Sequence, residues 1–132
     1  MAKYVIGVDV ALRLAAEEAV VAAEHQLLAP TLLRSQLLSE LYRAVGRGEL
    51  TKKDAGRRLD HVRGLKLRLL GDRVLQNTAW KVAEQLGRPD TYDAEYVALT
   101  QLQGDAFVTL DQKLADAVRD LVTVAPIAAL GR

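Results

Sequence analysis

A chain of 132 residues is long enough for one hydrophobic core and too short for two, and its half apolar, 27% charged composition with a net charge of +1 is ordinary for a soluble protein and selects no partner class. The absence of cysteine excludes disulfides and thiolate metal sites, and two histidines, His25 and His61, are too few for an imidazole-rich zinc centre, so any metal must be held by oxygen. The opening MAKYVIGVDV does not make a signal peptide and no apolar run approaches the ~20 residues that span a bilayer, so a single cytoplasmic domain without membrane contact is expected over residues 1–132.

Lys3 to Val8 reads as a buried strand, with Asp9 just past it. Ala11 to Glu24, rich in Ala, Leu and Glu, is predicted to be helical. Gln26 to Ala29 is a short second strand, and Pro30 suits the first turn of the helix that follows. That helix, Thr31 to Val45, places Leu33, Leu37, Leu41 and Val45 on one face. Gly46 and Gly48 break it, and Thr51 is the expected N-cap of a helix running to about Val62. Leu65 to Leu70 alternates leucine with Lys66 and Arg68, as a half-exposed strand would. Asp72 caps a helix that stops at Gly87, Gly87-Arg88-Pro89 is a loop, and Asp90 or Thr91 starts the next helix.

The stretch TYDAEYVALTQLQGDAFVTLDQKLA, Thr91 to Ala115, combines these signals most densely. Ala94, Val97, Ala98 and Leu102 fall at helical spacing, a Gly-Asp turn follows, and Ala106 to Leu110 is a continuous apolar run ending at Asp111. A short helix to about Arg119, a last strand Leu121 to Val124 and a tail from Pro126 complete the chain. Strands alternating with helices predict a three-layer α/β domain with a mostly parallel sheet.

In such a sheet Asp9 and Asp111, each following a strand, and Asp93, in the first turn of a helix that leads into a strand, share the carboxyl edge. The helix 31–45 starts at the same edge and presents Gln36 and Glu40 one turn apart. Several carboxylates at close range call for a cation, and an all-oxygen donor set suits magnesium or manganese. The chemistry of such a site is in-line displacement at phosphorus by a metal-activated water. Singly, Asp9 is equally readable as a helix cap and Asp93 as a complement to a helix dipole.

The order apolar strand then Asp9, an acid on a Pro-initiated helix, YDAEYVAL at Tyr92 to Leu99 and FVTLDQKLA at Phe107 to Ala115 resembles the PIN-domain family over nearly the whole chain, most of all VapC-type toxin ribonucleases of toxin-antitoxin pairs. The resemblance implies a Mg2+- or Mn2+-dependent endoribonuclease acting on RNA, dimeric and inhibited by a cognate antitoxin. By position it makes Asp9, Asp93 and Asp111 the metal-binding and catalytic acids and Thr109 a supporting hydroxyl. Two departures stand out. Ala11 follows Asp9 closely where the family has Ser or Thr, and the family's helix glutamate aligns with Gln36, which leaves Glu40, a turn further on, as the expected fourth catalytic acid. Both departures favour a rival reading, a catalytically weakened RNA- or antitoxin-binding module.

Residues 43–73 carry ten Lys or Arg against four acids, either a solvated face or an RNA-backbone surface, with some arginines available to an acidic partner peptide. Trp80 is expected in the core or a dimer interface, His25 and His61 at the surface, and Glu95 and Asp116 as solvated helix residues, Asp116 near enough to Asp111 to be a spare ligand. A phosphoacceptor receiver domain shares the architecture. Its pattern is missing, since valines flank Asp9 and Val124-Ala125-Pro126 offers no lysine.

Overall fold

The computed structural model describes residues 1–131 and contains five strands and six α-helices. In chain order these are β1 (Lys3–Ile6), α1 (Val8–Ala16), β2 (Gln26–Pro30), α2 (Leu32–Gly46), α3 (Lys52–Gly64), β3 (Arg68–Leu70), α4 (Arg73–Leu86), α5 (Tyr92–Gln103), β4 (Ala106–Val108), α6 (Gln112–Val118) and β5 (Val124–Ala125), with a 3-10 turn at Ile127–Leu130. The sheet order is β3-β2-β1-β4-β5, and every pairing is parallel. The expected mostly parallel sheet is therefore wholly parallel.

The central strands are apolar on both faces because helices cover both. Val5, Ile6, Leu28, Ala29, Phe107 and Val108 are all 2% exposed or less. Register places Val5 beside Leu28 on one side and Phe107 on the other, which brings β1 and β4, a hundred residues apart in the chain, into the middle of the core. Gly104 permits this closeness, since a Cβ there would stand 2.9 Å from Val5 Cγ2.

Helix ends explain most differences from the sequence reading. α1 stops at Ala16 instead of continuing to Glu24: Glu18 turns to φ +50, its N–H donates to the Ala15 carbonyl, and the Ala19 N–H donates to that of Leu14. This paired closure satisfies the last carbonyls, and Val20-Val21 beyond it disfavour resuming a helix. Pro30 ends β2, paired with Leu70, and does not open α2. Thr51 caps α3 through a reciprocal bond with Asp54, and Asp72 caps α4 by accepting from the Leu75 N–H, both as expected. The first strand ends at Ile6, so Asp9 lies within the first turn of α1 and not in a loop. Likewise β4 ends at Val108, and the last strand falls at Val124–Ala125 instead of Leu121–Val124.

Trp80 is 66% exposed on α4, which rules out the core reading. His25 and His61 are half-buried, not surface residues: His25 packs edge-on against Tyr4, and His61 Nε2 lies 3.0 Å from the Ala19 carbonyl. Among the described residues no helix is long and apolar enough to cross a membrane.

Phe107 is 1% exposed between β1 and β5, so Phe107→Ala removes a ring that nothing nearby can replace. The variant is expected to lose about 3–5 kcal/mol of unfolding free energy, measured by urea denaturation.

Candidate active site

The carboxyl edge is built by the turns that follow β1 and β4. The chain leaves β1 through Gly7, whose N–H donates to the Val108 carbonyl, and enters α1 at once. Asp9 then projects across the gap to the β4 turn, where Oδ2 accepts from Thr109 Oγ1 at 3.0 Å and from the Leu110 N–H at 2.9 Å. Its Oδ1 accepts from the Val10 N–H at 2.8 Å. A Cβ on Gly7 would stand 2.6 Å from Asp9 Oδ1, so only glycine leaves the carboxylate this position. Thr109 also accepts from the Asp111 N–H, and Asp111 caps α6 by accepting from the Leu114 N–H through Oδ1. Thr109 therefore positions both acids.

Asp93 stands in the first turn of α5 and is half-buried. Burial pushes its carboxyl above the ordinary aspartate range, the Arg88 guanidinium opposes that, and Asp111, Asp90 and Asp9 add to it. The three aspartates thus share the carboxyl edge, where the charges of Asp111 and Asp9 both favour the protonated form of Asp93. Glu95 is half-buried as well, and burial raises its carboxyl, against the expectation of a solvated residue. Asp116 is exposed and occupied by Gln112 and Arg119.

The two α2 candidates part company. Gln36 Oε1 accepts from Tyr96 Oη at 2.5 Å, which ties it to α5 beside Asp93. Glu40 turns to Arg43 at 2.8 Å, so of the two it is Gln36 that is tied to α5, the helix that carries Asp93. Tyr96 is buried and its hydroxyl is pushed far above the usual phenol range, first by burial and then by Glu95, Asp9 and Asp93, so it remains a donor. With its oxygen occupied, Gln36 offers N–H groups to whatever binds here. Ala11 is fully buried in the core, with no hydroxyl to add.

As a seat for a divalent cation, the donor set fits in kind: hard carboxylate oxygens whose crowding favours a positive charge. In position it is open, for among the described residues no three His, Asp or Glu side chains stand close enough to hold one ion. The basic arm lies elsewhere. The middle of α3, with Arg57 and Arg58, borders Ala15, Ala16 and Glu18 at the end of α1, the amino edge of the sheet. Arg43, Arg47, Arg57 and Arg63 are each paired with a nearby acid. His25 and His61 line a pocket at the same amino edge, remote from the acids. The residues that sequence reasoning missed are Tyr96 and Arg88. Tyr96 carried no role of its own within YDAEYVAL, and Arg88 read as a loop residue.

Because the folded state holds the Asp93 proton more tightly than the unfolded chain, ionising Asp93 destabilises the fold as pH rises above the ordinary value of 3.8. Asp93→Asn removes that penalty. In chelator, the variant is expected to melt higher than the parent protein at pH 7, with the gap shrinking as pH falls toward 4, as measured by thermal unfolding.

No family model matches the sequence, and no curated protein matches it significantly. Solved structures do. PAE2754 from Pyrobaculum aerophilum superposes with a TM-score of 0.71 at 22% identity, covering 98% of this chain and 93% of its own. VapBC2 from Rickettsia felis, bound to a DNA fragment from their promoter, gives 0.69 at 11% identity, covering 94% of this chain and 98% of its own. Identities this low speak for backbone alone. The helix-flanked, wholly parallel five-stranded sheet is thus a PIN-like fold, shared with both structures over nearly the whole chain.

Proposed function

We propose that this chain is a metal-dependent endoribonuclease, the toxin component of a VapBC-type pair, cleaving RNA phosphodiesters at the carboxyl edge with Mg2+ or Mn2+. The observation that carries this reading is the placement of Asp9, Asp93 and Asp111, from three separate elements, at the carboxyl edge of the parallel sheet. A divalent ion bound there would neutralise the phosphate and activate a water for attack. The protein's part is positioning. Asp9 is fixed by three donors, Asp111 is fixed through one oxygen, and Gln36 has N–H groups for a phosphate oxygen. The two histidines lie at the far edge, so neither is assigned a proton-transfer role.

The test is cleavage of labelled RNA by purified protein. Activity is expected with Mn2+ or Mg2+, lost in chelator, and reduced roughly a hundredfold or more in Asp93→Asn. Gln36 supports the second reading, a weakened binding module, because a neutral amide replaces a carboxylate at the family's acidic position. Gln36→Glu is expected to tighten Mn2+ binding in calorimetry and speed cleavage. Mn2+ and RNA binding without turnover in the parent protein would assign the module instead.

The VapC-type likeness also supports a cognate antitoxin. The groove of about 510 Å3 lined by Leu33, Leu37, Leu59, Val62 and Leu67, with Arg34 on its wall, suits an amphipathic acidic segment. We further propose a homodimer that covers Trp80. Sedimentation is expected to show a dimer for the parent chain and a monomer for Trp80→Glu; identical masses would remove Trp80 from the interface.

A further inference from the structure

Six ion pairs occur among the described residues, and five of them are local surface pairs. Their partners lie two or three residues apart, and both side chains are well exposed. Such pairs contribute little to stability. The sixth differs in what it joins: Arg88, in the loop after α4, reaches Asp93 inside the first turn of α5.

The backbone of Arg88 is held independently of its side chain. Gly87 turns to φ +65, its N–H donates to the Glu84 carbonyl, and the Arg88 N–H donates to the Ala83 carbonyl at 3.0 Å. This closure of α4 aims the side chain across the loop at the acids. The contact itself is loose. Nη1 lies 3.6 Å from Asp93 Oδ2, beyond the 2.7–2.9 Å typical of a charge-assisted hydrogen bond. Asp93 receives no hydrogen bond among the described residues, whereas Asp9 accepts three and Asp111 one. Asp93 is thus the acid whose oxygens are uncommitted except to Arg88. Among the described residues Arg88 is also the only basic group whose charge acts on it, against Asp111, Asp90 and Asp9.

We propose that Arg88 is the built-in counter-ion of the acidic edge: it neutralises Asp93 in the empty site, yields that carboxylate when a divalent cation binds, and then presents its guanidinium to the substrate phosphate. A side chain anchored by its backbone but not by its head group can make that exchange without unfolding the loop. The guanidinium fork suits a phosphate at least as well as a carboxylate. The cation half of the proposal rests on the edge taking up a divalent ion, as proposed above, and the phosphate half on the nuclease reading as well.

The experiment uses the whole chain with Arg88→Gln and Arg88→Lys, with thermal unfolding to confirm that both remain folded. Calorimetry with MnCl2 alone, without RNA, is expected to show Arg88→Gln binding the ion roughly five- to tenfold more tightly than the parent, because no guanidinium competes for Asp93, and Arg88→Lys binding near the parent value. Equal affinity in all three, or no binding by any, overturns the counter-ion role. Anisotropy of a labelled RNA with the cation present, under conditions where it stays intact, is expected to show several-fold weaker binding by Arg88→Gln; unchanged RNA affinity overturns the phosphate role. Tighter Mn2+ binding in Arg88→Gln by a chain that cleaves no RNA would sink the nuclease reading while leaving the counter-ion role standing.

Discussion

The bond from Thr109 Oγ1 to Asp9 Oδ2, with the Leu110 N–H beside it, is the constraint on which the rest of the edge depends. Parallel strands end side by side, but nothing in a parallel ladder fixes what the chain does afterwards. Here one carboxylate stitches the β1 turn to the β4 turn, and the same threonine accepts from the Asp111 N–H, so α1 and α6 start in a set relation. Gly7 keeps space for that carboxylate, and the apolar register of Val5 with Phe107 holds the two turns together from below. Core packing, turn geometry and acid placement are therefore one arrangement.

Much of this was legible in the amino-acid order. The continuous apolar strands, the caps at Thr51 and Asp72 and the acids that follow strands or open helices all rest on local chemistry that a sequence displays. What escaped was set by distant neighbours. The run after Ala16 has the composition of a helix, yet the chain turns at Glu18, and the Ala22 N–H finds its partner in the Leu130 carbonyl. Trp80 reads as core or interface by residue type, and only the rotation of α4, which turns it outward, removes the first.

The fourth polar position shows the same limit within the site. Gln36 and Glu40 share a helix face, and sequence alone gives the acid the better claim. The deciding fact is Tyr96, which no spacing rule connects to Gln36 and which lies sixty residues away. Arg88 is similar: its neighbourhood with Asp93 exists because a left-handed glycine redirects the chain between two helices. Side chains of this kind carry no motif, since their meaning comes from where the backbone leaves them.

The stitch between Asp9 and Thr109 also spans almost the entire length of the polypeptide, with a separation of 100 residues. Ribosomal synthesis delivers the first acid early and its fastening last, so a nascent or prematurely terminated product lacking residues beyond β4 has no assembled acidic edge.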